Sequence, residues 1–380
     1  MGLRLLSVWT GLRTANMDRK LWRHFDFVLL AATALLIALG VLMIRSATME
    51  EGPLLQGAFG RQLLFGLTGL ALMLLVTAFD YRLLDTFQKP IYVLALVILV
   101  IVVLLGSERF GAQRSLREGS FQPSEIAKVL IVLVLAKFFA DHEEEMHRLP
   151  LVLASLLLVV PLVVLVYLQP DLDTALVFLW IWLVMALAAR MRLGHLIAFG
   201  VLGALTMPAA WLAMKDYMRQ RLLYFLVPSL EPTARYNVDQ ALVSIGSGGW
   251  FGKGYMQGTQ THLRFLFVRH TDFIFSVIGE ELGFAGATVV IALLVVVLLR
   301  LLRAALLARD AFGRYIAVGM TAFIFFQAAV NIGMNLNLLP ATGTALPFLT
   351  YGGSSLWTML IAVGFAQSVL LRHKMTEFAF

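Results

Sequence analysis

The 380-residue sequence contains no cysteine, which excludes disulfide staples, haem thiolates and Cys-based zinc or iron–sulfur centres together. It is also poor in charge. Asp, Glu, Lys and Arg make up 14% of the chain and hydrophobic residues 60%, against about a quarter charged in an ordinary soluble domain. With a mean hydropathy of +0.85, that scarcity excludes a soluble enzyme, a coiled coil and a disordered tail. No Pro-rich or Ser-rich linker, low-complexity tract or fixed-period repeat is present. What remains is a polytopic membrane protein.

A spanning helix takes about 20 apolar residues. Uncharged apolar runs fall near Phe27–Ile44, Leu63–Phe79, Ile91–Gly106, Ile126–Ala140, Leu151–Leu168, Leu172–Ala189, Leu193–Met214, Phe273–Leu299, Tyr315–Met334 and Leu356–Leu371. The predicted fold class is therefore an all-α polytopic membrane protein, one domain over 1–380, with about ten transmembrane helices. Arg13, Arg19, Lys20 and Arg23 ahead of the first run resemble a signal n-region. The run itself is full length and has no small-residue cleavage site, so it reads as an uncleaved first helix.

Orientation follows from Lys and Arg in the short connections. With the N-terminus inside, the inner segments hold seventeen, among them Arg82, Lys89, Arg190, Arg192, Arg300, Arg303 and Arg314; the outer short loops hold five, Arg45, Arg61, Arg109, Arg114 and Arg117. This asymmetry predicts both termini (1–25 and 372–380) in the cytoplasm and one large extracytoplasmic loop, 215–272, between helices 7 and 8. The net charge of +7 then reflects basic cytoplasmic connections rather than nucleic-acid binding. The mixed run Asp141-His142-Glu143-Glu144-Glu145-Met146-His147 reads as a solvated loop between two spans rather than a metal site.

Ionisable residues in or beside spans are costly and each is a functional candidate. Glu125 and Lys128 share a helix face at i,i+3 and can neutralise each other, either to orient two helices or to line a site. Asp171 and Asp173 suit a helix N-terminus as caps. Glu280 and Glu281 fall in the eighth span, at least one of them toward the interior. The outer loop is net cationic, with Arg219, Arg221 and Lys253 among its basic residues, which suits either a phosphate-bearing lipid headgroup or plain solvation. Its Gly246–Gly254 stretch lacks the P-loop spacing and reads as a tight turn against the membrane. His270-Thr271-Asp272 runs straight into Phe273-Ile274-Phe275. That pins a carboxylate at the membrane boundary, where it serves either as a helix cap or, with reduced solvation raising its pKa, as a general base. The uncharged stretch from Asn331 to Ser355 is rich in turn formers, hydroxyls and amides, and reads as a loop folded back to line a polar cavity.

Taken in order, these stretches resemble the SEDS family of shape, elongation, division and sporulation proteins. The resemblance rests on Phe121-Gln122-Pro123-Ser124-Glu125 with Lys128, Gln169-Pro170-Asp171-Leu172, the Gly-rich turn with Gly258-Thr259-Gln260, His270-Thr271-Asp272-Phe273-Ile274-Phe275, Gly279-Glu280-Glu281-Leu282-Gly283 and Tyr351-Gly352-Gly353-Ser354. The loop elements are more similar to the elongation branch than to the division branch. Three stretches depart from the family pattern: Ser115 where Trp is common, Asp173 where Gly is common, and Leu266-Phe267-Val268 where members commonly carry Leu-Pro-Glu. The last removes an outer Glu and leaves Asp272 as the acidic residue of that segment.

The resemblance implies a peptidoglycan glycosyltransferase of the bacterial cytoplasmic membrane, acting at its outer face on lipid II to make β-1,4 glycan strands. It also implies a class B penicillin-binding protein as partner. For such chemistry Asp272 is the expected general base. Arg114, Lys128, Arg219 and Arg221, with a divalent cation (Mg or Mn) as a candidate cofactor and no organic one, are expected to meet the departing pyrophosphate. Glu125, Lys253 and Thr271 are further substrate-site candidates. A lipid II flippase and a non-catalytic scaffold for a transpeptidase are the competing expectations.

Overall fold

A computed structural model describes residues 22–48, 57–105, 107–109, 112–115, 122–227, 232–263, 265–266 and 269–373. Each apolar run is helical: α1 (Phe27–Ala47), α2 (Ala58–Ala78), α3 (Gln88–Leu105), α4 (Pro123–Asp141), α5 (Leu149–Leu168), α6 (Leu172–Ala188), α7 (Leu193–Ala213), α11 (Ile274–Leu307), α12 (Ala311–Asn335) and α13 (Gly353–Arg372). Among the described residues seven helical segments are long and apolar enough to cross a membrane; α6 and the Leu193–Ala209 part of α7 are shorter apolar segments, and α4 carries Glu125, Lys128, Lys137 and Asp141. Three helices lie in the 215–272 segment: α8 (Asp216–Leu226), α9 (Pro232–Ser247) and the single turn α10 (Thr259–His262). A two-stranded antiparallel hairpin, β1 (Ser107–Arg109) and β2 (Ala112–Ser115), joins α3 to α4. It is the small exception to an all-α architecture.

Local chemistry starts the helices where they start. Asp26 caps α1 by accepting from Leu29 N at 3.0 Å, Asp171 caps α6 through Thr174 N at 3.3 Å, and Asp310 caps α12 through Gly313 N at 2.7 Å. Each satisfies a backbone donor that hydrocarbon could not. Pro123 opens α4 at a position that has no helical N–H to lose.

The bundle is built around α4, α12 and α13. α12 packs on α4, α6 and α11, while α13 packs on α2. Leucines at the periphery, such as Leu75 and Leu205, are 68% and 73% exposed, as expected of faces that meet lipid. Since lipid tails are as apolar as Leu, helices there associate through close packing and interhelical hydrogen bonds. Gly364 shows the first: a Cβ at that position would lie 2.8 Å from Met73 O, so α13 and α2 touch backbone to backbone. Trp182 Nε1 donating to Ser155 Oγ at 2.9 Å and Gln169 Nε2 donating to Leu99 O at 2.9 Å show the second.

The eighth run departs from expectation. α11 is broken at Gly283 (φ 66°, ψ −164°), a conformation essentially reserved for glycine. The Gly-rich turn is bonded across this break. Lys253 N and Gly254 N donate to Glu280 O and Glu281 O, and Phe284 N and Ala285 N donate to Gly249 O and Trp250 O. A small apolar cluster of Val238, Leu266 and Phe273 holds the rest of the loop on the bundle.

Candidate active site

A polar cavity of about 220 Å³ opens among α4, α6, the start of α11, α12 and the loop between α12 and α13. Its floor is a charged pair. Lys128 Nζ lies 2.5 Å from Glu125 Oε1, and the two residues are only 1% and 6% exposed. Lys128 also faces the Phe323 ring at 5.5 Å. The i,i+3 spacing in α4 makes the pair, and α12 packed against that face buries it. Glu125 Oε2 and Gln327 Oε1, both buried, have no hydrogen-bond partner among the described residues, and both residues line the cavity.

Thr271 and Asp272 line the same cavity. Phe273, not Asp272, occupies the N-cap of α11, so Asp272 is not that helix's capping residue. Its backbone is held instead. Asn331 Nδ2 and Asn335 Nδ2 both donate to Asp272 O, at 3.1 and 3.0 Å, and Asn335 is itself fixed by Ser276 Oγ at 2.6 Å. The folded-back loop supports the preceding residues, with Thr350 Oγ1 donating to Thr271 O at 3.2 Å and Tyr351 N to His270 O at 3.1 Å. That loop is buried at Leu346, Phe348 and Leu349, so it enters the bundle rather than crossing its surface.

The remaining carboxylates are clamps. Asp171 Oδ2 accepts from Thr174 Oγ1 at 2.9 Å and from Gln122 Nε2 at 3.3 Å, while Gln122 N donates to Ser354 Oγ at 2.9 Å. These bonds tie α4, α6 and α13 together at one rim. Asp173 Oδ2 accepts from Gly343 N at 2.9 Å and lies 3.8 Å from Arg221 Nη1. Asp173 thus joins α8 to the folded-back loop.

Of the residues singled out from the sequence, Glu125, Lys128, Thr271 and Asp272 line the cavity, and Arg221 reaches its rim through Asp173. Arg219 does not line it: its Nη2 donates to Leu212 O at 2.7 Å. Lys253 does not either. Its Nζ meets Glu280 Oε1 at 2.9 Å, and Glu280, fully buried, also accepts from Gln260 N at 2.8 Å and Thr261 Oγ1 at 2.8 Å. Glu281 accepts from Ser46 Oγ and Met256 N. The two glutamates fasten the Gly-rich turn to α11, and Lys253 belongs to that fastening. Arg114 sits on β2, with its side chain outside the described residues. Gln327 was missed by sequence reasoning, its signal being an amide inside the apolar run of α12; Gln122 and Thr344, which lay in stretches already noted but were not singled out, also line the cavity.

Fold and cavity together define a polytopic membrane protein with a charged, water-sized site at one end of its bundle. Residues 27–375 match the FtsW, RodA and SpoVE family of cell cycle proteins, and the chain belongs to that family. It is 34% identical over 356 residues (93% of this chain, 95% of the relative) to the peptidoglycan glycosyltransferase MrdB of Escherichia coli K12. To the probable peptidoglycan glycosyltransferase FtsW of Trichlorobacter lovleyi it is 36% identical over 353 residues, covering 90% and 92%. The rod shape determining protein RodA of Thermus thermophilus superposes with a TM-score of 0.69 at 30% identity, covering 93% of this chain and 98% of that one. A chain from a peptidoglycan synthase complex, solved for its coordination of polymerization and crosslinking, superposes with a TM-score of 0.78 at 32% identity, covering 92% and 98%.

Proposed function

We infer that the chain is a peptidoglycan glycosyltransferase that polymerises lipid II into β-1,4 glycan strands during cell elongation. It sits in the bacterial cytoplasmic membrane with both termini in the cytoplasm and the cavity facing outward. The observation that carries this reading is the meeting of Asp272 with the buried Glu125–Lys128 pair in one cavity. An acceptor sugar hydroxyl must lose its proton as it attacks the anomeric carbon of the donor, and Asp272 is the base. The C–O bond to the donor's pyrophosphate breaks as the new glycosidic bond forms, inverting α to β. Lys128 within the cavity and Arg221 at its rim meet the negative charge that develops on the departing pyrophosphate.

A divalent cation, Mg or Mn, is proposed to arrive with the pyrophosphate rather than to reside in the protein. Among the described residues no three His, Asp or Glu side chains form a cluster able to hold one, and magnesium is commonly held by one or two carboxylates plus substrate phosphates. A class B penicillin-binding protein is the proposed partner, supported by the similarity to a chain of a peptidoglycan synthase complex. The flippase alternative needs a polar path through the bundle. Between the Glu125–Lys128 pair and the other end of the bundle, α4 and α12 present buried Val132, Ala136, Phe139, Met320 and Phe323, which favours polymerisation over transport.

The test is polymer formation by purified protein from labelled lipid II. Wild type is expected to make glycan. Asp272→Asn keeps the backbone acceptor used by Asn331 and Asn335, so it is expected to fold normally and to lose about 10²–10⁴ in rate. More than about a tenth of the wild-type rate in that variant would refute Asp272 as base. Absence of polymer from the wild type with its partner present would refute the enzyme.

A further inference from the structure

The end of the bundle opposite the Asp272 cavity holds a second pocket, of about 300 Å³, lined by Arg23, His24, Asp26, Arg300, Arg303 and His373. It forms where a short 3-10 turn, Trp22–His24, leads into α1 beside the last turns of α11 and the end of α13. Arg300 and Arg303 share one face of α11 by their i,i+3 spacing.

The charges do not balance. Asp26 is the acidic residue of the lining, and it is already committed. Its Oδ1 caps Leu29 N at 3.0 Å, its Oδ2 meets Arg300 Nη2 at 2.6 Å, and its backbone is held on both sides by Gln367, at 3.1 and 2.8 Å. It cannot swing toward the other arginines. Among the described residues, no carboxylate pairs with Arg23 or Arg303. Elsewhere at this end arginines do find carboxylates: Arg82 with Asp310 at 3.5 Å, Arg314 with Glu143, and Arg372 with Asp80 at 3.4 Å. The rings of His24 and His373 stand 4.9 Å apart beside the excess charge.

The surroundings decide what anion fits. Phe27, Val28, Leu302 and Leu306 are 67%, 51%, 44% and 85% exposed, and Trp22 is 40% exposed. These residues flank the basic ones in the chain at the ends of apolar helices, the position at which an aromatic residue sits at the membrane–water boundary. The pocket wall itself includes Phe25, Leu307 and Leu370; a free phosphate has no use for apolar neighbours, whereas a lipid offers a phosphodiester for the guanidinium groups and acyl chains for the apolar residues. We propose that this pocket binds the phosphodiester headgroup of an anionic phospholipid, at a site separate from the Asp272 cavity.

The experiment uses the purified full chain, delipidated in detergent, with binding of phosphatidylglycerol and phosphatidylcholine measured by native mass spectrometry. Wild type is expected to retain phosphatidylglycerol in preference to phosphatidylcholine. A basic side chain near an anionic headgroup contributes about fivefold in affinity, so Arg303→Gln is expected to weaken phosphatidylglycerol binding about fivefold and Arg23→Gln/Arg303→Gln about 25-fold. Both residues are exposed, so melting temperature should not change. Arg148→Gln, which removes an exposed arginine paired with Glu145, is expected to leave binding as in wild type. The proposal is overturned by equal retention of the two lipids, by unchanged binding in the single and double variants, or by an equal loss in Arg148→Gln, which would make net charge the cause. Displacement of phosphatidylglycerol by millimolar inorganic phosphate would assign the pocket to a free anion and overturn the lipid assignment.

Discussion

Removing the Glu125 carboxylate strands a lysine that is 1% exposed. Breaking a buried pair by deleting one partner costs about 3–5 kcal/mol, and insertion scales place a lone charge at a helix centre at about 2.5–3.5 kcal/mol. Two features put this site at the lower figure: the adjoining cavity of about 220 Å³ admits water, and the Phe323 ring lies 5.5 Å from Lys128 Nζ. Glu125→Ala should therefore lose about 3 kcal/mol, which for a chain of this length lowers the melting temperature in detergent by about 5 °C. Glu125→Ala/Lys128→Met removes both charges and should recover most of that stability. If Lys128 is the proposed cation opposite the departing pyrophosphate, the double variant should still polymerise about 10²–10³ more slowly than wild type. Thermal melting and polymerisation of labelled lipid II, run on the two variants and on Lys128→Met alone, give the cycle. A Glu125→Ala protein that melts and polymerises as wild type would refute the reasoning, and a double variant no more stable than Glu125→Ala would show that the stranded charge was not the cause.

Asn335→Ala removes a donor to Asp272 O and orphans the Ser276 hydroxyl. It should cost about 1–3 kcal/mol in stability and, by loosening the proposed base, lower kcat by about 10²-fold; unaltered kcat would show that the asparagine pair does not position Asp272. Gly283→Ala would put a Cβ 2.3 Å from Gly252 N, so it should destabilise by more than the about 1–3 kcal/mol of backbone strain alone and expose the 249–258 turn to limited proteolysis. Wild-type resistance there would be inconsistent with the observed seam. A tag at Gly258 should be reached from outside the cytoplasm and tags at Glu144 or Lys374 should not, as read by impermeant labelling; the reverse pattern would overturn the orientation of the active site.

The ten helices were legible in the sequence because a bilayer demands about 20 apolar residues per span wherever that span packs, a constraint that is local and leaves a mark in every run. The same physics exposed the polar candidates. Ionisable groups are rare enough in such runs that Glu125, Lys128 and Asp272 stood out individually, and the Glu125–Lys128 pairing followed from helix geometry within one turn. Asp272 was readable as a candidate for cap or base; that α11 takes Phe273 as its N-cap, and that Asn331 and Asn335, about sixty positions away, hold the Asp272 carbonyl, could not be read from the local sequence. Lys253 carried the right charge in the right loop for a substrate site; only tertiary structure brings Glu280 to it, 27 residues on, and turns it into a fastening. The break at Gly283 was equally hidden, since glycine is common inside membrane helices and its positive φ is required only because the 249–254 turn bonds across that point. What the chain's composition determines is therefore which segments leave water. Which of their polar groups face one another is decided by packing between segments far apart in the chain, since a pairwise interaction depends on distance in space and not on position in sequence.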